Sequence, residues 1–357
     1  MAELLQTPLK QKHLDAGAQN VPFAGWEMPI QYDGIIKEHG YCRDSAALFD
    51  TSHMGEFFYK GDISASGINE ATSINIEALP VGKCKYGFLL NVDGGVIDDL
   101  IVYRLSEDEL MIVVNASRIE LDLATFRERL SSGEMTNRSM EFAKIDLQGP
   151  KSKEILKSHF PQIDLDAMGF FSFLQTTYNG EYCLLSRTGY TGEMGFELYM
   201  NGANANIIWD KLIAGGAKPA GLGARDALRL EMGYSLYGND LSETISPIEA
   251  SLGMFINVSR EYIGKDALAK QKTEGTARKL IPFKTLSRRS ARKDFEVYQN
   301  DKKIGFVTSA AFSPILNVGI GLAMINIADF KESENFELRD ARGSIEATKA
   351  SLPFITK

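Results

Sequence analysis

Between Lys85 and Val114 three β-forming runs follow one another with only short turns between them: KYGFLLN, then VIDDLIVYR from Val96 to Arg104, then LMIVV from Leu110 to Val114. The first turn, Val92-Asp93-Gly94-Gly95, is of the kind that reverses a chain onto an antiparallel partner. Such a meander leaves no room for the crossover that a parallel pair requires. Directly after it, Asn115 and Ser117 can start a helix in which Ile119, Leu123, Phe126 and Leu130 recur at helical spacing. Strands and helices are therefore intermixed without strict β-α-β alternation. The expected class is α+β, not a doubly wound parallel sheet.

The same meander carries the first sign of chemistry. Successive side chains of a strand point to opposite faces, so Asp99, Ile101 and Tyr103 share one face, and Asp98, Leu100 and Val102 share the other. An ionised carboxylate on an otherwise Val/Ile/Leu strand is costly to bury without partners or a shifted pKa. Either a functional acid sits beside a phenol, or both aspartates simply cap the turn after Gly95.

Further along, Gly149-Pro150 precedes a helical KSKEILKSHF, and CLLSRTGYTGEMGFELYM reads as two strands around a glycine-rich connection. Helical patterns cover Ala205 to Ile213 and Ala224 to Glu231. From about Arg278 short strands alternate with turns at Asn300-Asp301, Ser313-Pro314 and Gly343, as in an all-β tail domain. The glycines of Ser186 to Tyr199 permit close backbone approach to a ligand. Glu197, between Phe196 and Leu198, either faces solvent on a half-buried strand or faces inward. If it faces inward, its carboxylate suits the paired N–H donors of an amidine-like heterocycle edge. In PAGLGARDALRLE the third glycine of a dinucleotide fingerprint is missing and no βαβ unit surrounds it, which excludes a Rossmann site. Arg225 on that helix either holds a carboxylate by a bidentate pair or joins a salt-bridge network with Asp226, Arg229 and Glu231.

At 357 residues the chain calls for two or three domains, and an apolar share of 44% fits a folded protein. No run of about 18 apolar residues is present, so no membrane span is expected. The polar, acid-bearing N-terminal stretch resembles neither a secretory signal nor a transit peptide, and a cytoplasmic location is expected. Cys42, Cys84 and Cys183 form no CxxC pair, and the four histidines, His13, His39, His53 and His159, show no metal-binding spacing. No metal is expected, and the cysteines read as reduced core residues. A net charge of −8 argues against a nucleic-acid binder. Within it, Gly264 to Asp294 is locally basic, through Lys265, Lys270, Lys272, Arg278, Lys279, Lys284, Arg288, Arg289, Arg292 and Lys293. That segment is either a solvated linker or a docking surface for an acidic partner or an anionic ligand tail. No nucleophile elbow, P-loop or Cys–His pairing stands out, so any chemistry relies on a positioned carboxylate and a bound co-substrate.

Taken together, the motifs resemble the T-protein family of the glycine cleavage system. They run nearly the whole length in the family's order: TPL at Thr7, PFAGWEMP at Pro22, LFDTSHMGEF at Leu48, GGVIDDLIVYR at Gly94, VVNA at Val113, LQGP at Leu147, SRTGYTGE at Ser186, GLGARDALRLE at Gly221, YSLYGNDL at Tyr234, ISPIEASLG at Ile245 and YIGKDAL at Tyr262. One departure is Met194, where the family usually has an acidic residue. The resemblance implies a three-domain cloverleaf around a central folate cavity. Residues 1–54 and 142–235 would form one α+β domain, 55–141 and 236–276 a second built on an antiparallel sheet, and 277–357 a β-barrel-like third. It implies a tetrahydrofolate-dependent aminomethyltransferase. The methylene carbon would pass from the aminomethyl-lipoyl arm of H-protein to tetrahydrofolate, releasing ammonia and forming 5,10-methylene-tetrahydrofolate. By the same resemblance Asp99 is the catalytic aspartate, and Met54, Tyr86, Asp99, Tyr103, Asn115, Tyr190, Glu197 and Arg225 contact the folate. The basic Gly264–Asp294 segment would suit an acidic H-protein. The alternatives within the superfamily are a non-catalytic folate-binding protein and a folate-dependent demethylase; the absence of the former's cysteine-bearing signature weighs against it.

Overall fold

The computed structural model describes residues 3–356, and the chain divides into two compact units. The first comprises residues 1–87 and 100–225, the second 88–99 and 226–357.

The first unit holds all of one main sheet and most of another. One has six strands in the order Phe173–Tyr178, Glu181–Ser186, Gly195–Met200, Ala143–Gln148, Ala47–Asp50 and Lys218–Pro219. Its pairings are antiparallel except the last, which is parallel. Ile145, Leu147, Phe196 and Leu198 point to one face and pack under the helix Gly202–Ala214 through Ala205, Ile208, Trp209 and Leu212. Asn201 caps that helix, its side chain accepting from the Asn204 N–H at 2.9 Å. The other sheet has five strands in the order Cys84–Leu90, Val96–Arg104, Glu109–Val114, Gly55–Lys60 and Glu134–Asn137. The expected meander is present, and the expected helix follows as Ile119–Arg129, burying Leu123 and Phe126.

Register decides which side chains meet between the sheets. In the five-stranded sheet Tyr103 pairs with Met111 and Ile101 with Val113, so these four share a face. Tyr103, Met111 and Val113 join Leu184 and Tyr199 of the six-stranded sheet in one buried cluster, against which Ile101 and Met54 also pack. The polar residues described below lie in and beside this layer.

In the second unit the hairpin tip 88–99 is held by Asn91, which donates from Nδ2 to the Glu243 carbonyl at 2.9 Å, and by the Val96 N–H on the Ser242 carbonyl at 3.0 Å. The diglycine turn has a steric reason: Gly94 sits at φ +80°, and a Cβ on Gly95 would lie 1.9 Å from the Glu243 carbonyl oxygen. Asn91 closes the turn, its Oδ1 accepting from the Asp93 and Gly95 N–H groups at 3.1 and 2.9 Å. The expected all-β tail is a closed barrel of six strands in the order Arg278–Thr285, Val318–Asn326, Lys302–Ser313, Glu296–Gln299, Phe336–Asp340 and Gly343–Lys349. Phe283, Val307, Leu338 and Ala347 fill its interior. Among the described residues no helix is long and apolar enough to cross a membrane.

Candidate active site

Strands Ala143–Gln148 and Gly195–Met200 lie antiparallel with Lys144 opposite Tyr199 and Asp146 opposite Glu197. The intervening Ile145, Leu147, Phe196 and Leu198 occupy the helix-covered face. Period two therefore sends Lys144, Asp146, Glu197 and Tyr199 together to the other face. Glu197 thus faces inward and is only 3% exposed.

Four charges close on one another there. Lys144 Nζ donates to Glu197 Oε1 at 3.0 Å and lies 3.5 Å from Asp146 Oδ1, while Arg225 Nη1 donates to Asp146 Oδ2 at 2.6 Å. The remaining Glu197 oxygen, Oε2, accepts from Thr188 Oγ1 at 2.6 Å, Tyr199 OH at 3.1 Å and Tyr103 OH at 3.3 Å. The two phenols are 3.0 Å apart, and Ser186 Oγ is 2.8 Å from Thr188 Oγ1. With two cations and two carboxylates, the group is formally neutral. That balance lets charges this deeply buried persist.

The electrostatics follow from the packing. Burial alone would raise the Glu197 carboxyl, but Lys144, the Thr188 hydroxyl and Arg225 outweigh it and hold it down to about 2. Burial pulls against the Lys144 ammonium, yet Asp146 and Glu197 more than restore it and its pKa stands above the ordinary lysine value. Asp146 is raised by burial and by the Glu197 charge, against the pull of Lys144 and Arg225. Burial and then Glu197 push both phenols well up, so Tyr103 and Tyr199 remain O–H donors.

Of the residues singled out from sequence, Tyr103, Glu197, Arg225, Met54 and Tyr190 are joined by these contacts. Met54 places its sulfur 3.6 Å from Lys144 Nζ, and the Arg225 guanidinium lies 5.0 Å from the Tyr190 ring centroid. Tyr86 lies on Cys84–Leu90, Asp99 on Val96–Arg104 and Asn115 just after Glu109–Val114, all partly exposed. The fully buried member of the aspartate pair is Asp98, at 0% exposure. Asp99 belongs to the strand face that carries Ile101 and Tyr103. Sequence reading did not single out Lys144, Asp146, Thr188 or Tyr199. The available signal was the KID run, opposite charges two residues apart around an isoleucine on an apolar strand. The glycines of the Ser186–Tyr199 connection also have a different local role. A Cβ on Gly189 or Gly195 would lie 2.1 Å from Gln148 Oε1, so these two accommodate a side chain of the protein itself.

The three cysteines are buried and form no disulfide, and burial pushes the Cys183 thiol up to about 12, away from nucleophilic use. The chemistry on offer is therefore electrostatic and hydrogen-bonding: a fixed, water-poor lattice of carboxylates, cations and phenols.

An α+β body with two antiparallel-rich sheets and a buried polar lattice between them, together with a closed six-stranded C-terminal barrel, defines a transferase of the glycine cleavage T-protein class. Residues 9–260 match the GCVT N-terminal domain, and residues 278–355 match the glycine cleavage T-protein C-terminal barrel domain. The chain is 40% identical over 358 residues to an aminomethyltransferase of Listeria welshimeri serovar 6b, covering 99% of each protein. It is 41% identical over 356 residues to an aminomethyltransferase of Halothermothrix orenii, covering 98% of this chain and 99% of that protein. Among solved structures, the crystal structure of glycine cleavage system aminomethyltransferase T from Bartonella henselae superposes with a TM-score of 0.92 at 29% identity, over 99% of this chain and 98% of that one. The chain belongs to the aminomethyltransferase (T-protein) family of the glycine cleavage system, and its activity is that family's transferase activity.

Proposed function

We propose that the carbon acceptor is tetrahydrofolate and that the donor is an aminomethyl group carried on the lipoyl arm of H-protein. In the balanced reaction the S–CH2 and CH2–N bonds of the aminomethyl thioether break and two new CH2–N bonds form to the folate nitrogens. The two hydrogens displaced from those nitrogens leave on ammonia and on the dihydrolipoyl thiol. The protein's part is to orient the acceptor nitrogens and to stabilise positive charge developing on the transferred carbon.

The observation that carries the reading is the neutral lattice of Lys144, Asp146, Glu197 and Arg225, with Tyr103 donating to Glu197. Strand Val96–Arg104 presents Tyr103 and Asp99 on one face. On this reading Asp99 orients the reacting nitrogens and offers its negative charge to the developing cation. Met54, Tyr86, Tyr103, Asn115, Tyr190, Glu197 and Arg225 are the folate-contacting residues. The aromatic members give flat apolar surface to a pterin, and Arg225 holds the Tyr190 ring by a cation–π contact. A cytoplasmic setting and a docking role for the basic 264–294 segment belong to the same proposal.

The test is turnover of aminomethylated H-protein with tetrahydrofolate, following ammonia and methylene-tetrahydrofolate together. Asp99→Ala is expected to lower kcat by about 100-fold or more, within the range for loss of a positioned acid or charge stabiliser, while tetrahydrofolate still binds. Unchanged turnover in that variant removes the Asp99 assignment. Formation of methyl-tetrahydrofolate from a small methylated substrate, with no ammonia released from aminomethylated H-protein, removes the H-protein reading.

A further inference from the structure

Glu56 lies on strand Gly55–Lys60, 1% exposed, directly opposite Val113. Val113 in turn pairs with Ile101, and the next row is Phe58, Met111 and Tyr103. Glu56 therefore points into the layer between the two sheets of the first unit, on the face that carries Tyr103. Among the described residues neither of its carboxyl oxygens finds a hydrogen-bond partner, although both are shut off from solvent. An unmade bond of this kind is costly, and native proteins rarely tolerate it without a purpose.

A second orphan borders the same charges. His53 is 6% exposed with Nδ1 likewise unpartnered, and the charges acting on it are those of Asp50, Arg225 and Lys144. Those acting on Glu56 are Lys144 and Glu197. The Lys144 charge thus acts on two buried polar groups with unused hydrogen-bonding capacity. Glu197 stands in contrast, with both of its oxygens occupied by four protein donors. Burial, opposed by Lys144 and reinforced by Glu197, pushes the Glu56 carboxyl well above its ordinary value and so favours its protonated form. A neutral carboxylic acid presents one O–H donor and one carbonyl acceptor side by side.

We propose that Glu56 is a ligand-binding residue of this site, its two unpartnered carboxyl oxygens hydrogen-bonding to a heterocycle edge that offers an adjacent acceptor and donor. The inference rests on the folate reading for the identity of that heterocycle, and adds to it a residue that reads the ring edge. The orphaned state of Glu56 is then a ground-state cost that the ligand relieves on binding.

Tetrahydrofolate titrations, followed calorimetrically, and thermal unfolding with and without tetrahydrofolate test this in wild type, Glu56→Gln and Glu56→Met. Gln keeps a donor and an acceptor in the same shape, whereas Met fills the volume without either. E56M is expected to bind tetrahydrofolate at least about tenfold more weakly, to lose most of the ligand-induced rise in Tm, and to keep or exceed the ligand-free Tm of the wild type. E56Q is expected to stay within about threefold of the wild-type affinity. Wild-type affinity in E56M overturns the proposal, and so does a ligand-free Tm that falls in E56M with its ligand-induced rise intact. Equal losses in E56Q and E56M overturn the neutral donor–acceptor pair. Should E56M not fold, E56Q decides: a tenfold loss there with a normal ligand-free Tm has the same overturning force. Failure of the wild type to bind tetrahydrofolate sinks the folate reading itself, a result distinct from all of these.

Discussion

Two buried arginine–carboxylate networks sit in different units of this chain, and they are closed to different degrees. In the second unit Arg229, 1% exposed, donates to Asp226 at 2.8 Å, Asp240 at 2.9 Å, the Tyr234 carbonyl at 2.8 Å and Ser309 at 2.8 Å. Asp240 is equally well served, by Thr308 at 2.6 Å, Ser309 at 2.8 Å and the Leu236 N–H at 2.9 Å. In the first unit Arg225, Asp146, Lys144 and Glu197 satisfy one another, yet Glu56 and His53 beside them do not reach any donor or acceptor with the atoms named above. Buried charge alone does not separate architecture from chemistry. Unused hydrogen-bonding capacity does: the closed network is a rivet, and the open one is where a ligand has something to complete.

The largest effect that tests this contrast belongs to the rivet. Arg229→Met leaves Asp240 buried with its cation removed, and loss of one partner of such a pair costs about 3–5 kcal/mol. The expected outcome is a large fall in Tm with tetrahydrofolate affinity unchanged in the protein that remains folded. A selective loss of affinity with Tm intact would move the ligand-binding role to the second unit and invert the comparison.

Next in size is the acid limb of the open network. The Glu197 carboxyl is held down to about 2, against an ordinary value of 4.5. Its ionised state therefore stabilises the fold fully above pH 4.5, and that contribution is lost as pH falls through about 2. A shift of this size corresponds to stabilisation on the order of 3 kcal/mol. Glu197→Gln is expected to lower stability most at pH 6–7, with the gap from wild type narrowing steadily below pH 4.5 in urea melts. A gap independent of pH would show that the carboxylate's charge is not what Lys144 and Thr188 hold.

How much of this could be read from residues alone depended on whether the signal was local. The meander, the helix at Ile119 and the barrel's turns at Asn300-Asp301 and Gly343 were legible because period and turn chemistry encode them over a few residues. The shared face of Asp99 and Tyr103 was legible for the same reason. The direction of Glu197 was not, since all six residues of Gly195–Met200 are buried and alternation cannot say which face is polar. Lys144 and Asp146 gained meaning only from their neighbours across the sheet, Tyr199 and Glu197. The hairpin tip 88–99 groups with 226–357 through bonds such as Val96 to Ser242, which no local pattern announces. In the basic 264–294 segment a charge count from sequence does not show which cations are already partnered. Lys265 is paired with Glu261 and Asp266, Arg278 with Glu249, and Lys293 donates to Asn239, so part of the apparent excess is spent at home.

The smallest effect isolates the orphan within the open network. Burial raises the Glu56 carboxyl well above 4.5, with Glu197 adding to the rise and Lys144 opposing it, so the folded protein keeps a proton there that the unfolded chain gives up above pH 4.5. Stability linked to Glu56 is therefore full below that pH and is lost as pH rises toward the folded-state value, the reverse of the Glu197 limb. In Glu56→Gln nothing titrates at this position. The stability of wild type relative to this variant is expected to be greatest below pH 4.5 and to decline between there and neutrality, measured by urea melts at fixed ionic strength. Opposite slopes from two glutamates in one layer would separate the acid whose charge the protein fixes from the one whose carboxyl oxygens it leaves unpartnered. Parallel slopes would mean that Glu56 is ionised in the fold, and the distinction between the two networks would then rest on His53 alone.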